Sequence, residues 1–136
     1  MESWFLWTIL SLITFGFWGF FPKLAVQYIN PQSALIYQVL GGVLVGIVGL
    51  AMVGFRPQTN PMGILFAMLT GITGVLGTLF YFSAAGRGQI SIVVSLTALY
   101  PLITILLAVI FLHETLNLRQ IVGLCFAIGA IVLLAV

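Results

Sequence analysis

Five long apolar segments, separated by short clusters of polar or helix-breaking residues, occupy almost the whole of this sequence. Each segment exceeds the roughly 18 residues that an α-helix needs to cross a lipid bilayer. The strands of a membrane β-barrel alternate apolar and polar residues. Uninterrupted apolar runs such as Leu40 to Phe55 lack this alternation, which disfavours a β-barrel. The sequence therefore predicts an all-α integral membrane protein with five transmembrane helices.

The boundaries of these segments follow from helix start signals. Asn30-Pro31 and Asn60-Pro61 each pair an N-cap residue with a proline at the first helical position, and Asn117 with Gln120 has capping-box spacing. At roughly 20 residues per span plus short turns, the 136 residues hold five spans, so we expect a single five-helix transmembrane domain over residues 1–136. The predicted spans are residues 4–21, 31–54, 61–85, 90–112 and 118–136.

The rare charged and reactive residues exclude several classes of protein. Only 4% of the residues are charged, and the four cationic side chains are scattered along the chain, so we expect no nucleic-acid partner. Cys125 is the single cysteine, which allows neither an internal disulfide nor a Cys/His metal site, and we expect no cofactor. Neither the apolar segments nor the short turns offer a nucleophile paired with a base, so we do not expect an enzyme.

The glycines of the second span include Gly42 and Gly46 in GxxxG spacing. Such small residues let helices approach closely. The interpretation favoured by that property is close packing inside one protomer, and the alternatives are cavity lining or contact with a second subunit.

The polar residues inside the spans are neutral. Counting inward from the boundaries places no Asp, Glu, Lys, Arg or His near the bilayer midplane, which argues against intramembrane proteolysis, proton pumping and carboxylate-coupled antiport. In the first span, Ser11, Thr14 and Trp18 share a helix face. Lys23 and Arg56, near span ends, are interpreted as headgroup anchors.

The fourth span contains Pro101 near its middle, where the ring bends the helix and no N–H is available for the carbonyl of Thr97. Thr97, Tyr100 and Thr104 surround it and form a neutral hydrogen-bonding patch beside a hinge. The alternative is that the hydroxyl groups bond back to their own helix and that Pro101 is a packing kink. Both interpretations remain open at this point.

The end of the chain carries a family resemblance. Residues 95–101 (SLTALYP), residues 111–116 (FLHETL), and then Gln120 and Gly123 resemble the end of an EamA domain of the drug/metabolite transporter superfamily. Trp18-Gly19 followed by Lys23 resembles the opening of the same domain, so the resemblance covers the whole chain once, as one five-span EamA-type repeat. Gln38 stands where many members carry Arg.

The resemblance implies a carrier of small organic metabolites, often an exporter of amino acids or related compounds, in the cytoplasmic (inner) membrane of bacteria. The small multidrug resistance branch uses an acidic residue inside its first span, whereas this chain has only Glu2, too near the terminus to match. We therefore expect a multi-pass transporter of a small polar or zwitterionic, amino-acid-like metabolite that works by alternating access as a homodimer. A non-transporting membrane scaffold or assembly subunit is the alternative.

The expected site lies at mid-depth between spans one, three and four, with Pro101 as its hinge and no metal. The candidate substrate-binding residues are Ser11, Thr14, Trp18, Thr73, Thr97, Tyr100 and Thr104.

The charges predict an unusual topology. With the N-terminus inside, Arg56 and Arg119 lie on the inner side, and Lys23 and Arg87 lie on the outer side. This balance gives the positive-inside rule no preferred orientation. We therefore expect dual topology and an antiparallel homodimer in the bilayer.

Overall fold

The computed structural model describes residues 3–135, and in that part of the chain all regular structure is helical, with no strand. The all-α fold class is therefore confirmed. The helices are α1 (Ser3–Ala25), α2 (Pro31–Met52), α3 (Pro61–Arg87), α4 (Ile90–Thr97), α5 (Tyr100–Phe111) and α6 (Leu118–Ala135).

Within residues 3–135, four apolar helical stretches are long enough to span a membrane, and one further apolar helix is shorter. Helices α1, α2 and α3, and the stretch formed by α4 and α5 together, are long and apolar enough to cross a bilayer. Helix α6 is shorter, with 18 residues, which at a rise of 1.5 Å per residue is about 27 Å. Helix α1 continues to Ala25, beyond the predicted end at residue 21, and residue 136 of the predicted fifth span lies outside the described residues.

The start signals act as the sequence predicts. The Asn30 side chain accepts a hydrogen bond from the backbone N–H three residues on at 2.8 Å, and Asn60 does the same at 3.1 Å. Asn117 and Gln120 form a capping box, in which each side-chain oxygen accepts from the backbone N–H of the other residue, at 2.8 and 2.9 Å. These bonds satisfy N–H groups that have no partner within the helix.

The end of α2 is a Schellman turn. Gly54 has a φ of +60°, its N–H bonds to the carbonyl of Ala51, and the N–H of Phe55 bonds to the carbonyl of Leu50. The left-handed conformation that this turn requires is one that glycine adopts without steric cost. The turn ends α2 sharply before the polar segment that leads to α3.

The chain divides into two compact units, Met1–Arg87 and Gly88–Val136. In the first unit, α3 packs against both α1 and α2. In the second unit, α4 packs against α6.

The regular helical hydrogen bonding of the fourth span is broken at Ala98 and Leu99, although both residues keep right-handed helical dihedral angles. Helix α4 ends at Thr97, and α5 begins at Tyr100 with Pro101 in its first turn. A proline lacks the N–H that a helix interior needs, whereas the first turn leaves that N–H without a partner in any case. The sequence places Pro101 in mid-span, and the chain accommodates it by ending one helix at Thr97 and starting another.

The expectation of close packing at the GxxxG pair of α2 is wrong for the first unit. In that unit, no atom of another helix lies within 4 Å of the position that a Cβ atom would occupy at Gly42 or Gly46. Burial along α2 is concentrated near its start, at Ala34. The glycine face therefore remains uncovered within the described part of this unit.

Candidate functional site

Buried contacts of the first unit concentrate where the end of α1, the start of α2 and the end of α3 meet. The buried residues of α3 are Thr78, Tyr81, Phe82 and Ala85. Their spacing of three and four places them on one stripe of the helix. This stripe positions the side chains of α1 and α2 that form the site.

An aromatic pair joins α1 to α3. The rings of Trp18 and Tyr81 have centroids 5.1 Å apart with an interplanar angle of 34°. The Tyr81 hydroxyl donates a hydrogen bond of 2.7 Å to the carbonyl of Gly19, and Tyr81 is only 5% exposed. A ring pair contributes about 0.5–1.5 kcal/mol beyond its buried area, so Trp18 is held in place by both packing and a neighbouring hydrogen bond.

Lys23 makes a second link between α1 and α3. Its ammonium donates a hydrogen bond of 2.8 Å to the carbonyl of Ala85, a residue that is 0% exposed. The carbonyls of the last helical turn have no partner within their helix and carry partial negative charge, which attracts a cation. The interpretation of Lys23 as a headgroup anchor is therefore wrong, because its side chain binds the end of α3.

Gln38 of α2 faces Thr78 of α3. The Gln38 side-chain nitrogen donates to the Thr78 hydroxyl at 3.5 Å, a long distance, and that hydroxyl donates to the carbonyl of Gly74 at 2.8 Å. Among the described residues, nothing else bonds to the Gln38 side chain. Since a carboxamide offers two donor hydrogens and an acceptor oxygen, Gln38 retains hydrogen-bonding capacity for another molecule.

These contacts border a cavity of about 300 Å³, hereafter the Trp18–Gln38 cavity, which is open on one side, where its lining residues Phe21 and Tyr37 are exposed. Trp18 and Gln38 each lie seven positions from a helix end, which at 1.5 Å per residue is about 10 Å below that end. Ile29, in the turn between α1 and α2, also lines the cavity, which therefore extends from the turn into the depth of the spans. The lining residues are Trp18, Phe21, Pro22, Ala25, Ile29, Ala34, Tyr37, Gln38 and Phe82.

The predicted site residues of the first unit are in different surroundings. Trp18 lines the cavity, whereas Ser11, Thr14 and Thr73 are exposed and do not line it. The Thr14 hydroxyl donates to the carbonyl of Leu10 at 2.8 Å, and the Thr73 hydroxyl donates to the carbonyl of Leu69 at 2.7 Å. The structure thus brings one of these four residues to the cavity.

The predicted site residues of the second unit surround the interruption between α4 and α5. Thr97 is the last residue of α4, and its hydroxyl donates to the carbonyl of Val93 at 2.7 Å. Tyr100, Pro101 and Thr104 belong to α5 and are exposed, with Tyr100 at 59%. The hydroxyl of Thr97 therefore bonds back to its own helix, as the alternative interpretation of the patch states.

Sequence reasoning did not assign Gln38 or Tyr81 to the site. Both lie on helices that are apolar all round, so hydrophobic periodicity does not show which face is buried. The spacing of Thr78, Tyr81 and Ala85 was the available signal, because it places two polar side chains and a small residue on one face. Gln38 was noticeable as an isolated amide inside an apolar span.

The comparison with protein families covers almost the whole chain. Residues 2–136 match the model of the EamA-like transporter family. The chain belongs to this family. As an EamA-like protein with about five apolar helical spans, it is a multi-pass membrane protein, and the transporter family supports the expectation that it is not an enzyme.

Three similar proteins were found, and two of them are named as uncharacterized transporters. The chain is 31% identical over 131 residues to "Uncharacterized protein MJ1333.1" of Methanocaldococcus jannaschii, covering 94% of this chain and 95% of that protein. It is 30% identical over 138 residues to the "Uncharacterized transporter in cobO 3'region" of a Sinorhizobium species, covering 99% and 98%. A shorter match, 45% identical over 58 residues, covers 43% of this chain and 19% of the "Uncharacterized transporter YvbV" of Bacillus subtilis. No solved structure matches the chain at a significant level.

Proposed function

We propose that this EamA-like protein carries a small polar or zwitterionic, amino-acid-like metabolite across the cytoplasmic membrane by alternating access. The observation that carries the proposal is the Trp18–Gln38 cavity, about 300 Å³ in volume, within the helices of a chain that belongs to a transporter family. This volume is at the lower end of the range for small-molecule sites, about 300–1,000 Å³. The cavity therefore suits a metabolite and not a macromolecule.

The hydroxyl residues of the predicted site extend this proposal beyond the cavity. Thr14, Thr73 and Thr97 donate their hydroxyl hydrogens to their own helices, but a hydroxyl oxygen that donates still accepts hydrogen bonds. We assign to these residues, with Ser11, contacts to the polar part of the substrate. Tyr100 and Thr104 have the same role next to the interruption before α5.

The interruption between α4 and α5 supplies the hinge. Ala98 and Leu99 separate the two helices, and Pro101 in the first turn of α5 has no N–H to offer to α4. A few residues at the end of an element can absorb the backbone change of an opening motion. In this proposal, the five spans form one domain. Movement of the backbone between α4 and α5 changes the side of the membrane from which the substrate site is accessible.

The transporter would act as an antiparallel homodimer. The Lys23–Ala85 bond shows that Lys23 lies at the same end of the first unit as Arg87, while Arg56 lies in the connection at the other end. In this proposal the successive spans alternate in direction, which assigns two of the four cationic residues to each side of the membrane and favours both orientations equally. Two copies of a five-span chain in opposite orientations form the inverted repeat that many carriers place around a central site.

A non-transporting scaffold subunit is the second candidate. The uncovered glycine face of α2, at Gly42 and Gly46, favours this function because such faces mediate helix association in membranes. A scaffold predicts association with another membrane protein but no movement of solute. A flux measurement therefore distinguishes the two candidate functions, because only a transporter moves solute.

The experiment is a release assay with the purified full chain in liposomes. The vesicles contain an equimolar mixture of the common amino acids, and mass spectrometry follows their appearance outside. We expect faster release of one amino acid or a related group of them than from protein-free vesicles of the same lipid. Equal release of every amino acid with and without protein contradicts the proposed substrate class and favours the scaffold function.

A further inference from the structure

We propose that the Trp18–Gln38 cavity is the subsite for an uncharged part of the substrate, an apolar ring or branched chain that carries one neutral hydrogen-bonding group. This inference rests on the proposed function and deepens it, because it names the chemistry that the cavity selects. A zwitterionic substrate would place its uncharged side chain here and its charged groups elsewhere.

The walls of the cavity favour an apolar group. Aromatic side chains from all three helices line it, with Trp18 and Phe21 on α1, Tyr37 on α2 and Phe82 on α3. Flat rings bury a large area of a ligand and stack favourably on another ring. Burial of apolar ligand surface against these walls would contribute about 25 cal/mol per Å² before the cost of association.

The one amide of the cavity favours a neutral hydrogen-bonding group. Gln38 donates a long hydrogen bond of 3.5 Å to Thr78 and retains a further hydrogen and its oxygen. A ligand amide, hydroxyl or ring N–H can bond to one or both of these atoms. Within an apolar span, such a contact replaces bonds to water that the ligand loses on entry.

The absence of charge in the lining disfavours a charged group. All of the lining residues are uncharged, and the nearby ammonium of Lys23 already donates to the carbonyl of Ala85. A carboxylate or ammonium placed at the depth of Gln38 would therefore lose its hydration without gaining an opposite charge from the lining. The cavity should discriminate against both signs of charge.

Three probes of nearly identical shape test this selection, namely benzamide, benzoate and benzamidinium, which are neutral, negative and positive. The reporter is the fluorescence of Trp18 in the full chain carrying Trp4→Phe and Trp7→Phe, both of which replace exposed side chains. The protein is reconstituted in lipid nanodiscs, and empty nanodiscs correct for partitioning into lipid. We expect saturable binding of benzamide, with an affinity at least tenfold higher than that of either charged probe, because an unpaired charge loses its hydration on entering the cavity.

Substitutions at Gln38 make the test specific. Gln38→Leu should lower the affinity for benzamide severalfold while leaving that for toluene, which has the ring but no amide, unchanged. Gln38→Glu is measured over a pH series, because desolvation in an apolar site disfavours the ionised form of a carboxyl. Once that carboxyl is ionised, the charge preference should invert, so that benzamidinium binds more tightly than benzamide. Gln58→Leu, in the exposed turn between α2 and α3, is the matched control and should change neither affinity.

The outcomes separate this inference from the proposed function. Binding of all three probes with similar affinity, or a benzamide signal that does not saturate, would overturn the inference. A charge preference that Gln38→Glu does not alter would also overturn it. Amino-acid release from liposomes is measured independently, so transport without benzamide binding refutes the subsite alone, and binding without transport refutes the carrier function alone.

Discussion

The Lys23 ammonium lies 2.8 Å from the carbonyl oxygen of Ala85 and fastens the end of α1 to the end of α3. The two residues are 62 positions apart in the chain. Their bond closes the end of the first unit next to the Trp18–Gln38 cavity, whose lining includes the neighbouring Pro22. The charge of Lys23 therefore has a structural role.

Replacement of Lys23 by methionine should destabilise the purified protein. The change keeps much of the apolar stem but removes the donor, and hydrogen bonds that involve a charged group contribute about 1.5–3 kcal/mol. We expect the free energy of unfolding in detergent to fall by about 1–2 kcal/mol, since the side chain is only partly buried. Arg56→Gln, at an exposed position in the α2–α3 turn, is the control and should change it by less than about 0.5 kcal/mol. Equal stability of Lys23→Met and wild type would show that the bond does not hold these helices together.

The interruption of the fourth span predicts an effect of Pro101→Ala on transport. Alanine restores an N–H and favours helix, so α4 and α5 should join and the hinge should stiffen. We expect a severalfold slower release of substrate from liposomes, with little loss of thermal stability. Pro61→Ala, at the start of α3, is the matched control because its proline also occupies a first turn but no hinge. If both variants transport at the wild-type rate, Pro101 has no role in opening.

The sequence predicts some features of this protein better than others. The spans and the caps at Asn30, Asn60 and Asn117 are local, because they depend on apolar length and on residues three positions apart. The pairing of Lys23 with Ala85 depends on how distant helices dock. Helices that are apolar all round carry no periodicity to indicate that docking.

The candidate site shows the same division. The sequence predicts Trp18 as a substrate-binding residue, and the structure places Trp18 in the lining of the cavity. Gln38 and Tyr81 were left out of the predicted site, since their importance follows from contacts with α3 and α1 that no local pattern shows. The glycine pair at Gly42 and Gly46 is a conspicuous local motif, but the motif does not specify which surface packs against it.

Cysteine accessibility tests the role assigned to the patch around the hinge. Thr97→Cys and Thr104→Cys, each in a Cys125→Ala background, should react with small water-soluble thiol reagents in membranes, and substrate should slow the reaction. Val109→Cys, near the apolar end of α5 and away from the predicted patch, is the comparison and should react slowly throughout. Resistance of both threonine positions in every condition, including with substrate, would make the patch a buried packing feature.

The balance of cationic residues predicts two orientations in the membrane. Thr59→Cys in a Cys125→Ala background places a thiol in the turn between α2 and α3, and an impermeant maleimide applied to intact cells should label roughly half of the molecules. Adding Gln58→Arg to this reporter should reduce outside labelling, whereas Gln58→Asn should not. Labelling of essentially all molecules, or of none, would rule out the antiparallel dimer.

Amino-acid release from liposomes containing a variant with a filled cavity tests whether substrate passes through the Trp18–Gln38 cavity. Ala25→Phe adds a ring to the lining of the Trp18–Gln38 cavity, while Ala51→Phe adds the same ring at an exposed position near the end of α2. We expect Ala25→Phe to abolish the release seen with wild type and Ala51→Phe to retain it, while both proteins remain folded with native helicity. Undiminished release by folded Ala25→Phe would contradict the claim that substrate passes through this cavity.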